Sequence, residues 1–482
     1  MRSRIRRHLG PLLGVTSPSS LMHIRAVKGA STSAKVEIPI GFAPRQYAIL
    51  LLHVAAEIEH SLLVQYLYAA YSLGGADVPE ADRERVAQWR EVILGIAKEE
   101  MGHLMTVQNL LHCLGAPLNL NREDYPWDSD FYPFPFQLEP LTPLSLAKYI
   151  YIEAPSPEEW TGDEADAIRA LVEDKIGVER LHRVGALYDQ LQALFEQPDL
   201  ISDANFDGAT FPFQVNWDEW GRGYKGGVSG NATNGIAPET PDILLLQITS
   251  RTDALNAIKA ISSQGEANPT ASDDASSHFA RFLKIYRHFP KDKKSPALTR
   301  PLAVNPVATS VPDVVSDASA CSVITHPHAR IWAELFNLRY EMLLLCLAHT
   351  FKYPSNILVD RQNTPRGLLI HSTFGEMYNL GAIAGILVRT PLSSDSGPLR
   401  AGPPFQMPFS LELPSRLADI WRQHADLLTA SQSIIEALLV SPTDDAERRY
   451  LVSLGEADRQ IGETIHSILN DRSIARPLQH QY

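Results

Sequence analysis

The chain has 482 residues, 44% hydrophobic and 21% charged, which is enough apolar material for a folded protein well above the roughly 150 residues of an average domain. Its 56 acidic against 43 basic residues give a formal charge of −13, and beyond the first few residues no basic stretch is interleaved with aromatics, which argues against nucleic acid as a partner. Cys113, Cys321 and Cys346 form no Cys-x-x-Cys pair and point to a reducing, cytoplasmic setting, and no apolar run reaches the roughly 20 uninterrupted residues of a membrane span.

The first 40 residues, beginning MRSRIRRHLGPLLGVTSPSS, are basic and Ser-rich with no acid before Glu37. They resemble an organelle transit peptide or a disordered extension and are set apart from the fold. From Pro44 to Ser72 the chain is apolar almost throughout, which predicts a long buried helix ended by Gly74 and Gly75. A second helix is expected from about Pro79 to Leu114, stopped by Gly115 and Pro117. The segment NREDYPWDSDFYPFPFQLEP is too rich in Pro and aromatics for regular structure and reads as a long packed loop, able to cap the helices or simply pack against them. LSLAKYIYIEAP predicts a short helix, and DEADAIRALVEDKIGVERLHRVGALYDQLQALFEQ a longer helical stretch with a break at Gly177. After the insert GRGYKGGVSGNATNG, the segments TPDILLLQITSRTDALNAIKAISSQGEAN and SSHFARFLKIYRHF together predict a fourth helix interrupted by a loop. These elements assign residues 41–290 to a helical bundle, 291–322 to a Pro/Ser-rich linker or strap, and 323–482 to a second, C-terminal helical region. The class is all-α.

Polar residues on the apolar faces carry the chemistry. An α-helix advances about 100° per residue, so a carboxylate and an imidazole three apart project side by side. Glu100 and His103 have that spacing and lie within the apolar stripe of the second helix, with Glu99 at its edge; Glu59 lies inside the apolar arc of the first. A lone Glu followed by Glu-x-x-His on the next helix is half of a carboxylate-bridged dinuclear metal site. Three such groups buried on facing helices call for a cation, because an unpaired buried charge costs several kcal/mol. Glu57 and His60 mimic the motif but fall on the more polar side of the first helix, as surface or supporting residues.

For the second half, Glu153 follows the run Tyr149, Ile150, Tyr151, Ile152, while Glu179 and His182 offer another Glu-x-x-His among charged neighbours. Glu266 precedes His278, which shares a helical face with Phe282, Ile285 and Phe289. A core histidine bonded to a carbonyl is the competing reading of His278. Glu334, Glu341, His349, His371 and Glu376 lie on apolar helices of the C-terminal region without a spacing that fixes any chemistry.

At these residues the chain resembles the ferritin-like superfamily. The phrases EIEHSLLVQYLYAAYSL, EEMGHLMTVQNLLHCLGAP, YIEAP, RVGALY, QGE, SHFARFLKI and AGPPF are similar to those of its iminophenylpyruvate dimer synthase family, in order over roughly residues 45 to 410. The resemblance implies a ferritin-like four-helix bundle whose metal ligands are Glu59, Glu100, His103, Glu153, Glu266 and His278. It also implies dinuclear iron, manganese being the other metal the ligand set admits, and O2-dependent oxidation of a small amino-acid-derived substrate of the 2-imino or 2-oxo acid class in secondary metabolism. Ala186 in RVGALY and a chain shorter than the bisindole-forming members depart from the family pattern, so a different small substrate stays open. A non-catalytic metal-binding or iron-handling protein is the alternative, and homo-oligomerisation is compatible with either.

Overall fold

The computed structural model describes residues 38–126, 134–155, 159–176, 184–220, 245–266, 277–291, 298–308, 321–355 and 364–470, and among these all side chains but those of Ile176, Trp217, Asp218 and Glu266. The basic N-terminal extension, Glu179 and His182 lie outside the described residues.

Helix α1 (Pro44–Ser72) starts on a proline, whose fixed φ suits a first turn, and the Ala43 amide donates to the Gln46 side chain. It ends at Leu73 in extended backbone. Gly74 follows at φ +96°, a conformation that L side chains rarely adopt, and a Cβ there would press on the Arg300 guanidinium at 3.1 Å. Helix α2 (Glu80–Cys113) carries Glu80 and Asp82 in its first turn, where the helix dipole favours acids, and stops at Gly115. The short connection makes α1 and α2 an antiparallel pair, packed along their lengths.

Two pairs of shorter helices complete the bundle. Helix α3 (Pro143–Ile152) packs on the C-terminal half of α1, and a helix α4 (Asp163–Ile176) lies against it. Helix α5 (Val184–Glu196) packs on the N-terminal half of α1, where the Tyr47 hydroxyl donates to Gln190 at 3.3 Å. After a four-residue helix α6 (Trp217–Trp220), helix α7 (Arg251–Glu266) pairs with α5 and helix α8 (His278–His288) pairs with α3. The rings of Tyr66 (α1), Tyr149 (α3) and Phe282 (α8) meet at centroid distances of 4.9 to 5.4 Å. Such pairs contribute about 0.5–1.5 kcal/mol each beyond their buried area. The third and fourth columns of the bundle are therefore each two helices in series, and both are interrupted at the level of Glu59 and Glu100.

A strap from Leu298 to Ala308 crosses one end of the bundle. Arg300 N–H donates to Ser72 O at 2.7 Å, Gly74 N–H to Leu298 O at 2.9 Å and Asn305 N–H to Leu138 O at 2.9 Å. The only ladder among the described residues is two residues long, strand β1 (Pro306–Val307) parallel to strand β2 (Ser322–Val323). Helices α9 (Pro327–Thr350), α10 (Pro365–Leu387), α11 (Leu417–Val440) and α12 (Asp445–Asn470) form the C-terminal region. One continuous apolar cluster runs from Ala48 through α9 and α10 to Leu454.

That packing corrects the reading of α1 as a helix with one polar side. His53, His60 and Gln65 are buried, because the C-terminal region and the loop before α3 cover the second face. His60 Nε2 sits 2.5 Å from the Tyr340 hydroxyl of α9. By length and hydropathy α1 is also apolar enough to cross a bilayer, the one described helix that is, yet most of that stretch is buried inside the protein. A helix apolar all round is a core helix as readily as a membrane span.

The AGPPF segment closes over α1. Gly402 adopts φ +75°, and a Cβ there would run into the Tyr68 ring, whose hydroxyl donates to Ala303 O. Gly402→Ala is expected to lower stability by about 1–3 kcal/mol, read as a lower urea midpoint at unchanged slope. A midpoint equal to wild type would show that the segment shifts freely.

Candidate metal centre

The interruption of the two outer columns brings polar side chains to one buried cavity between α1 and α2. Glu59 comes from the middle of α1, and Glu100 and His103 from one face of α2. Glu153 is the residue that caps the C-terminus of α3, and His278 is the first residue of α8. All five are at most 4% exposed. Leu62, Val184, Ile261, Ser262 and the glycines Gly185 and Gly265 complete the wall. At Gly265 a Cβ would lie 3.1 Å from Glu153 Oε2, so a glycine lets the end of α7 approach the carboxylate.

The ligand-type atoms fall into two groups that share a member. Glu59, Glu100 and His103 each offer an atom within 4.8 Å of the others, and so do Glu100, Glu153 and His278. Glu100 Oε2 is 3.0 Å from His103 Nδ1, and Glu100 Oε1 is 2.9 Å from His278 Nδ1. His103 Nδ1 also lies 3.4 Å from Glu59 Oε2, and His278 Nδ1 lies 3.6 Å from Glu153 Oε1. The two imidazole rings face each other with centroids 5.5 Å apart.

The surrounding side chains hold these groups from behind. The Tyr188 hydroxyl donates to Glu59 Oε1, and the Tyr66 hydroxyl donates to Glu153 Oε1 at 2.5 Å. His103 Nε2–H donates to Gln264 Oε1 at 2.8 Å. His278 Nε2–H donates to Glu99 Oε2 at 2.9 Å, and Arg281 in turn donates to both Glu99 oxygens. Each imidazole thus turns its Nδ1 toward the cavity with its tautomer set by the outer partner, as is usual for metal-ligating histidine.

The electrostatics are those of buried acids and imidazoles packed close enough to share protons. Burial, with the Glu100 carboxylate beside it, pushes Glu59 up to about 8. Burial opposes charge on Glu100 too, but the two imidazoles hold it well below the usual carboxylate range. Burial likewise disfavours charge on His103, yet hydrogen bonds to Glu100 and Glu59 carry it up to about 10, and the charges of Glu100 and Glu153 raise His278 well above the ordinary histidine value. Glu59 Oε2, Glu100 Oε1 and His278 Nδ1 are buried without an aligned hydrogen-bond partner, and all three border the cavity. Buried polar atoms are nearly always satisfied, so three together fit a cation pair that would replace the protons.

Of the sequence-expected residues, Glu59, Glu100, His103, Glu153 and His278 converge here. Glu266 ends α7, one residue beyond the cavity-lining Gly265, and its side chain lies outside the described residues. Glu57 is half-buried and accepts from Asn119 at 3.4 Å, while His60 points to Tyr340; neither lines the cavity. The aromatic loop does not line it either among its described residues: Tyr125, Phe134 and Phe136 are buried, and the Tyr125 hydroxyl donates to Ser61 O. Sequence reasoning missed the supporting roles of Glu99, Gln264, Arg281 and Tyr188. Of these, only Arg281, one turn from His278, had a spacing that could have revealed it.

Residues 52–287 match a family model described as Ferritin-like. The chain is 24% identical over 379 residues to a 2-imino-3-(indol-3-yl)propanoate dimerase of Chromobacterium violaceum, covering 70% of this chain and 32% of that protein. It is 28% identical over 326 residues to the dichlorochromopyrrolate synthase of Lentzea aerocolonigenes, covering 61% of this chain and 30% of that protein. The chain therefore spans about a third of the length of these curated relatives. A crystal structure of a ferritin-like protein from Caulobacter vibrioides superposes with a TM-score of 0.40 at 18% identity, covering 72% of this chain and 98% of that one.

Proposed function

Because residues 52–287 belong to the ferritin-like family, we propose that Glu59, Glu100, His103, Glu153 and His278 hold a pair of metal ions, with Glu266 as a further ligand. Iron is the metal of choice, and manganese suits the same mix of carboxylate and imidazole. The observation that carries this reading is the position of Glu100, whose two carboxylate oxygens face the two separate histidines. A carboxylate so placed would hold both cations at once.

The protein acts, on this reading, as an O2-dependent oxidoreductase on a small amino-acid-derived substrate of the 2-imino or 2-oxo acid class, in secondary metabolism. The names of the two curated relatives support that class. Bound iron would supply the route by which electrons leave the substrate for O2. The chain's own contribution is positional. Tyr188 and Tyr66 orient the terminal carboxylates, Gln264 and Glu99 fix the imidazoles, and Leu62, Val184 and Ile261 keep bulk water from the cluster.

The test is metal content together with the optical spectrum of anaerobic protein before and after air, followed by O2 consumption with 2-imino acids generated from aromatic amino acids. Two transition-metal ions per chain and substrate-dependent O2 uptake are expected. A stable protein that takes up no metal would overturn the metal pair; two ions without O2 uptake would leave a metal-binding protein in place of an enzyme.

A further inference from the structure

The two metal positions differ in what stands behind their histidines. His103 Nε2–H donates to the neutral amide of Gln264, whereas His278 Nε2–H donates to the carboxylate of Glu99. Glu99 is fully buried, and Arg281, on the same helix as His278 and one turn on, donates to both its oxygens. Among the ligands whose side chains are described, the two positions are otherwise matched. They share Glu100, and each has one further carboxylate with a tyrosine hydroxyl on it, Tyr188 on Glu59 and Tyr66 on Glu153.

A charged acceptor on the outer N–H draws the proton toward itself and leaves more electron density on the inner nitrogen, so that imidazole becomes the stronger donor to a cation. An amide acceptor does this less. Arg281 donates to both Glu99 oxygens, including the one that accepts from His278; this tempers the carboxylate's pull while its fork fixes the orientation of Glu99.

We propose that Glu99 is a positioning residue that makes the two metal positions unequal: the position formed by Glu100, Glu153 and His278 fills first and binds more tightly than the one formed by Glu59, Glu100 and His103. This rests on the metal-pair reading of the same site. Outer partners of ligating histidines typically change metal affinity about 10–100-fold, so the first ion is expected to bind at least about 10-fold more tightly than the second.

Anaerobic titration of the full chain with Co(II), followed by its visible absorption and by calorimetry, tests this. Wild type is expected to show two resolved steps, with Glu153→Ala losing the tight step and Glu59→Ala losing the weak one. Glu99→Gln should weaken the tight step about 10-fold while the total stays at two ions. Gln264→Glu, which places a carboxylate behind His103, should strengthen the weak step and narrow the gap; it decides the matter if Glu99→Gln fails to fold. A merely structural Glu99 would change the thermal midpoint without changing the ratio of the two affinities. Two equal steps in wild type, or a gap indifferent to both substitutions, would overturn the inequality while leaving the metal pair intact. No uptake of Co(II) would overturn the metal pair itself.

Discussion

Glu100→Ala is expected to strip the protein of both metal ions, whereas Glu59→Ala and Glu153→Ala are each expected to retain one. The difference follows from sharing. Each terminal carboxylate belongs to one triad of ligand atoms, but Glu100 belongs to both, with Oε2 toward His103 and Oε1 toward His278. Its loss therefore removes one ligand from each position and, with it, the negative charge that screens two cations from each other. The fall in affinity should exceed the 10–100-fold typical of outer partners. The check is metal content of protein reconstituted anaerobically with Fe(II) and desalted. Thermal stability supplies a second reading, because a ligand present at about 100 times its dissociation constant stabilises the native state by about 2.7 kcal/mol. Added Fe(II) should raise the midpoint of wild type and leave that of Glu100→Ala unmoved. A Glu100→Ala protein that keeps two ions, or a Glu59→Ala protein that loses both, would rule out the shared ligand.

How much of this was legible in the sequence depends on where in a helix each residue sits. Glu59, Glu100 and His103 lie inside long regular helices, so spacing alone places them on an apolar face. Glu153 and His278 sit at helix ends, one as the C-cap of α3 and the other as the first residue of α8. Periodicity assigns no face to Glu153, whose helix has just stopped; it gave His278 the face of Phe282, Ile285 and Phe289 but no partner there, and ligation by either rested on resemblance. The interrupted columns were visible as the helix that stops at Pro155 and as the gap between Glu266 and His278, but nothing in the sequence said that both breaks fall at the same level. His60 shows the converse failure. Projection assumes one buried face, and the partner that buries the other, Tyr340, lies 280 residues away.

The largest stability effect is expected at Arg339→Ala, a residue that does not line the metal cavity. Arg339 is fully buried where α9, α10, α11 and α12 converge. It donates to Glu376 at 3.0 Å, to Asp458 through both terminal nitrogens and to Ser431 at 2.5 Å, and Ser431 donates on to Asp458 at 2.7 Å. Two buried carboxylates thus share one guanidinium. Truncating Arg339 leaves both without a counter-charge, and breaking a buried pair in this way costs about 3–5 kcal/mol. Burial already raises the pKa of Glu376, and Arg339, with a smaller contribution from the Asn379 amide, opposes that rise. In the variant it should rise further above its unfolded value. A carboxyl whose folded pKa is raised binds its proton more readily in the native state, so the variant's deficit should shrink as pH falls through that value and be fully felt above it. Urea denaturation across the neutral to mildly acidic range measures both the size and the slope. A deficit within about 1 kcal/mol of wild type, or one that widens on acidification, would sink the account. Because the network and the metal cluster share no residue, the variant that still folds should carry the same two ions per chain, which separates the stability of the C-terminal region from the chemistry of the bundle.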